Sequence, residues 1–125
     1  MNIEVGLRGE ATMVVSENDT ARALRSGTVD VLGTPRLIAL CEEATCAALV
    51  GRLPDGHTTV GMRVQIDHLQ PTAVGIEVQA EATLEKIEGR RLMFTVSASD
   101  TRGLVAAGKV TRVLVEVDRF HSKAH

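Results

Sequence analysis

The stretch Gly33-Thr-Pro-Arg-Leu-Ile-Ala-Leu-Cys-Glu-Glu-Ala-Thr-Cys-Ala-Ala-Leu-Val-Gly51 decides how the rest of the chain must be arranged. Thr34 followed by Pro35 reads as an N-cap and first helical residue, and Gly51 reads as the stop. Wound at about 100° per residue, Arg36 and Glu43 fall within about 20° of each other and mark the solvent stripe. Glu42 falls about 100° from Glu43, among Ile38, Cys46 and Leu49. A carboxylate among apolar side chains costs several kcal/mol unless it is compensated, so Glu42 is a candidate for chemistry. The plainer reading is a rim glutamate whose head reaches water.

Four extended runs follow the helix. Thr58–Leu69 alternates Val60, Met62, Val64 and Ile66 with Gly61, Arg63, Gln65 and Asp67. Gly75–Ile87 alternates most cleanly, with Ile76, Val78, Ala80, Ala82 and Leu84 on one face. Arg91–Asp100 places Leu92, Phe94, Val96 and Ala98 together, and Leu104–Val117 is the last run. Such period-two patterning marks strands with one buried and one wet face, as in an antiparallel sheet. Glu88-Gly89-Arg90 and Thr101-Arg102-Gly103 suit hairpin connections. Residues 3–15 read as one more strand, and Thr20–Leu24 as a short helix.

The interior of the long helix offers few positions that look exposed, which fits a helix cradled in a curved sheet. Small residues on the strands (Ala80, Ala82, Ala98, Ala106, Ala107, Gly108) would let that sheet close tightly. The expected fold is therefore α+β and of the hot-dog type: one central helix wrapped by five to six antiparallel strands. The length of 125 residues suits a single domain spanning 1–125.

Composition excludes several functions. A net charge of −2 without a Lys/Arg cluster argues against a nucleic-acid partner. Two Phe with no Trp or Tyr leave no platform for stacking bases. No apolar run approaches the roughly 20 residues that span a bilayer, and the N-terminus lacks the order of a signal peptide. Cys41 and Cys46, five apart on a helix, diverge and should stay unpaired, which suits a reducing compartment and a cytoplasmic location.

His68 is in phase with Val60, Met62, Val64 and Ile66, just before Pro71 ends the strand. It reads either as a satisfied structural histidine or as an acid–base partner to Glu42 across the seam between helix and sheet. Thr34 reads as a cap hydroxyl, and a helix N-terminus also supplies N–H donors to a developing oxyanion. Thr34 and Glu42 stand about 12 Å apart along a regular helix, so they cannot touch within one chain unless the segment folds back. Arg112 reads equally as a rim salt-bridge residue or an anion contact. The cysteines have no activating cation, and His57 and His68 have no matching ligand set, so no metal is expected.

Together these residues resemble the hot-dog thioesterases of the fluoroacetyl-CoA thioesterase type. The resemblance spans roughly residues 29–120. It rests on the helix with Thr34 and Glu42, Gly61 seven residues before His68, the strand pair around EGRRLMFTVSASD (Glu88–Asp100), and AAGKVTR (Ala106–Arg112) followed by Arg119-Phe120. It implies a thioesterase hydrolysing a small acyl-CoA to free acid and CoA. Thr34, Glu42 and His68 take the catalytic places, with Gly61 and Arg112 at the acyl pocket. It also implies a homodimer or higher oligomer with sites near the subunit interface, and no cofactor beyond the CoA of the substrate. That family carries a phenylalanine-bearing lid ahead of its threonine. Here the matching stretch, SGTVDVLG (Ser26–Gly33), is shorter and has no aromatic residue, which leaves the acyl preference open. The competing readings are an acyl-CoA-binding hot-dog protein without turnover and a hot-dog hydratase or dehydratase. The usual Asp/His pair of the latter is not evident, since Asp67 points away from His68.

Overall fold

The computed structural model describes residues 2–124. The chain runs β1 (Arg8–Val14), a 3-10 turn (Glu17–Asp19), α1 (Ala21–Leu24), α2 (Thr34–Ala48), β2 (His57–His68), β3 (Glu77–Glu88), β4 (Arg91–Asp100), β5 (Gly103–Glu116) and α3 (Val117–Lys123). The strands form one antiparallel sheet in the order β1-β3-β4-β5-β2. This is the expected hot-dog arrangement, with five strands. The ends of β2, β3 and β5 differ from the sequence reading by one or two residues; the first strand begins only at Arg8, and a short helix that the sequence reading did not include follows the last strand.

The core is the concave face of the sheet packed on α2. Val78, Ala80, Ala82 and Leu84 of β3, with Leu92, Phe94, Val96 and Ala98 of β4, are buried as the alternation required. They meet Leu37, Leu40, Cys41, Ala44 and Ala48 of the helix. The helix lies mostly against β1 and β3 and only lightly against β2 and β5. Its closest approach is at Gly9 of β1, where a Cβ would collide with the backbone of Ala44 and Ala48. The expected full cradle is therefore lopsided: Glu43, Cys46 and Ala47 are exposed, with Ile38 half-buried. The flank of α2 facing β2 stays open.

β2 is an edge strand, and its register slips between Gly61 and Arg63. The extra residue of this bulge changes the phase of the strand. Thr59 and Gly61 face the helix before it, while Ile66 packs on the core and His68 reaches α2 after it. Val60, expected on the His68 face, thus lies on the opposite side. The uniform alternation read from the sequence concealed the bulge, because Gly61 sits in the apparently polar set.

Candidate active site

The helix starts one residue earlier than its sequence suggested. Gly33 is the N-cap, Thr34 opens the helix, and Pro35 occupies the first turn. Thr34 is thereby relieved of capping, and its Oγ1 lies 2.9 Å from His68 Nδ1 on the edge strand. The other ring nitrogen, Nε2, is buried and has no hydrogen-bond partner among the described residues. An orphaned buried nitrogen is costly unless something fills the position opposite it. Burial also lowers the His68 pKa from its ordinary 6.5, partly offset by a backbone hydrogen bond with Gln70. The ring is thus kept neutral at physiological pH, able to take up a proton.

A second pair sits further along the same open flank. Arg112 Nη1 donates to Glu42 Oε2 at 3.0 Å, the arginine side chain being 8% exposed and the glutamate 33%. Arg112 is held in turn by Thr59, with Nε donating to the hydroxyl at 2.9 Å and Nη2 to the carbonyl at 3.0 Å. This fork leaves the guanidinium no freedom and fixes one carboxylate oxygen of Glu42, while the rest of the head faces outward. Gly61 is the third member, since a Cβ there would collide with Glu42 Oε2. The absence of a side chain is what lets the carboxylate lie against β2.

The five residues singled out from the sequence therefore fall into two groups, Thr34 with His68 and Glu42 with Gly61 and Arg112. No hydrogen bond joins the groups among the described residues, and α2 runs unbroken between Thr34 and Glu42, about 12 Å of regular helix. Thr59 was missed. Its only sequence signal is a Thr directly cross-strand to Leu114 and two residues before Gly61, which becomes legible once the bulge is known. Arg36 pairs with Glu43 and Asp19, each at 3.6 Å, as the solvent stripe required. Cys41 is buried, and its thiol is pushed up to about 11 by burial and by the Glu42 charge, so it is not a nucleophile at neutral pH. No group of three metal-ligating side chains exists among the described residues.

Fold and site together define a hot-dog protein of the thioesterase kind. A hot-dog-like protein from Thermanaerovibrio acidaminovorans superposes with a TM-score of 0.88 at 28% identity, covering 97% of this chain and 90% of that one. The chain belongs to the family FlK, fluoroacetyl-CoA-specific thioesterase, whose profile matches residues 15–118. The fluoroacetyl-CoA thioesterase of Streptantibioticus cattleyicolor is 28% identical over 127 residues, 97% of this chain and 91% of its own length. A solved structure of the fluoroacetyl-CoA thioesterase FlK superposes with a TM-score of 0.92 at 28% identity, covering 98% of this chain and 96% of that one. A mutant of FlK has been solved with fluoroacetate and CoA.

Proposed function

We propose that the chain, as one hot-dog domain over residues 1–125, hydrolyses a small acyl-CoA thioester to the free acid and CoA. The observation that carries this reading is a carboxylate clamped by a buried arginine on the same open flank as a neutral histidine. Glu42 either attacks the thioester carbonyl or draws a proton from the water that does; both routes break the C–S bond and yield acid and thiol. Arg112 keeps Glu42 aimed. Gly61 leaves room for that carboxylate against β2. His68, with Nε2 free and Nδ1 directed by Thr34, moves the proton that the departing thiolate takes up. The first N–H of α2, that of Thr34, favours the negative oxygen of the tetrahedral state; Pro35 has no N–H, and that of Arg36 donates to the Gly33 carbonyl. No metal or redox cofactor enters these steps, and CoA arrives with the substrate.

The working unit is a homodimer. Thr34 and His68 of one subunit face Glu42 of the partner subunit, closing a gap that the rigid helix keeps open within one chain. Exposed Met62 and Val64 along the edge strand supply apolar cover for such pairing. We place the protein in the cytoplasm, where its two free cysteines would stay reduced. No helix among the described residues is long and apolar enough to cross a membrane. The test is release of free thiol from a panel of acyl-CoA thioesters. Binding without release would favour a carrier, and loss of enoyl absorbance without thiol would favour a hydratase.

A further inference from the structure

Two depressions meet at Gln70 and Pro71, two and three residues beyond His68. One, of about 200 Å³, is lined by His68, Leu69, Gln70 and Pro71. The other, of about 320 Å³, shares Gln70 and Pro71 and continues to Asp100, Arg102, Gly103 and Leu104 at the β4–β5 turn. The path thus runs from the proposed reacting centre to an arginine. Leu69 and Leu104 stand 51% and 48% exposed along it, with Gln70 also exposed, so the walls offer both apolar surface and an amide.

Asp100, the one acidic group on the path, is committed elsewhere. Its Oδ2 accepts from Thr72 Oγ1 at 2.9 Å and its Oδ1 from the Arg102 backbone N–H at 2.8 Å. Both bonds hold the turn, while the Arg102 guanidinium has no ion-pair partner among the described residues. His68 stands opposite Ala106 on β5, three residues from Gly103. That is about 10 Å of strand, plus the turn and the arginine side chain. The arm between the sulfur and the first phosphate of CoA has about as many bonds as four extended residues, a reach of roughly 14 Å.

We infer that Arg102 binds the phosphates of CoA, with the pantetheine arm lying over Leu69, Gln70, Pro71 and Leu104 toward His68. This rests on the reaction proposed above and assigns the residue that reads the carrier rather than the acyl group. A guanidinium suits this task because it meets phosphate oxygens two at a time. The outer face of the sheet carries another depression, lined by Arg63, Lys86 and Lys109 among others, which is the rival location for the phosphates.

The experiment compares wild type, Arg102→Ala, Arg102→Lys and the control Arg63→Ala/Lys109→Ala. Each is assayed on an acyl-CoA and on the matching acyl-pantetheine, which has no phosphate, and CoA binding is measured by calorimetry. Arg102→Ala should raise KM for acyl-CoA about tenfold and narrow the preference for acyl-CoA over acyl-pantetheine by the same factor. Arg102→Lys should recover part of that preference, and the outer-face control should retain it. Unchanged preference in Arg102→Ala, or loss in the control alone, overturns the assignment. Calorimetry separates the two levels of argument. Arg102-dependent CoA binding without thiol release keeps this site and overturns the reaction, and turnover without Arg102 dependence does the reverse.

Discussion

At the scale of single residues, the decisive contrast is between Glu42 and Glu43, adjacent in sequence and different in environment. Glu43 faces solvent with only Arg36 near it, whereas Glu42 is gripped by a buried guanidinium. Glu42→Gln keeps the shape and removes the charge, so thiol release should fall by roughly 10²–10⁴-fold while Glu43→Gln changes little. Near-wild-type turnover in Glu42→Gln, with circular dichroism unchanged, would refute the assignment. His68 gives the pH dependence. Its pKa lies below 6.5 because burial disfavours the charged ring, so the folded protein takes up its proton later than the unfolded chain does. Between those two values the unfolded state binds more protons; the contribution to stability is whole above about pH 6.5 and is lost as pH falls through that window. A pH profile of kcat/KM should show an acid limb with an apparent pKa below 6.5, and His68→Asn should remove that limb along with most activity. Arg112 shows where reading a sequence stops at this scale. An arginine between strand valines could be a rim charge or an anion contact, and only the partner strand and helix reveal that its anion is Glu42.

At the scale of elements, two glycines do different work. Gly61 sits at a bulge and admits a carboxylate, while Gly9 admits a helix. At Gly9 the obstacle to a side chain is the backbone of α2, which cannot rotate aside. Gly9→Ala should therefore destabilise the fold by about 3 kcal/mol, at the upper end for overpacking, read as a lower urea midpoint with unchanged slope. An unaltered midpoint would mean that α2 can lift from β1 freely. The alternation of β3 and β4 was legible from the sequence because those strands are paired on both sides and each face has one fate. That of β2 was legible only in part. A bulge costs no characteristic residue here, and an edge strand lets the phase change without disturbing a second neighbour. The start of α2 differs from its sequence expectation by one residue for a related reason: Thr is a good cap in isolation, but Thr34 finds its partner in His68 across the fold.

The whole molecule has an unfinished side. The open flank of α2, the free edge of β2 and both polar pairs lie together, so sedimentation at micromolar concentration should give a dimer or larger. A fully active monomer would leave Thr34 and Glu42 too far apart to act on one carbonyl. Selectivity also belongs to this scale. Phe94 is buried in the core and Phe120 lies on α3, so neither stands in the segment before Thr34, where the resemblance implies an aromatic lid. Without that gate, discrimination rests on pocket volume, where one methylene is worth only about 1–3 kcal/mol. Values of kcat/KM for acetyl- and fluoroacetyl-CoA should then lie within about two orders of magnitude, with short acyl chains broadly accepted. A larger preference for the fluorinated substrate would show a gate supplied by the partner subunit.

The amino-acid sequence by itself determined the long helix, the strands and the faces that β3 and β4 present, because periodicity is a local consequence of which side chains must leave water. It also singled out Glu42 and His68, since a titratable group placed in an apolar phase is visible in one dimension. Tertiary structure alone decided the pairing. Arg112 is 70 residues from Glu42, and His68 is 34 from Thr34. Nothing local specifies such partners: they depend on strand order, on one bulge and on a helix displaced toward β1, and these are set by the packing of the chain as a whole.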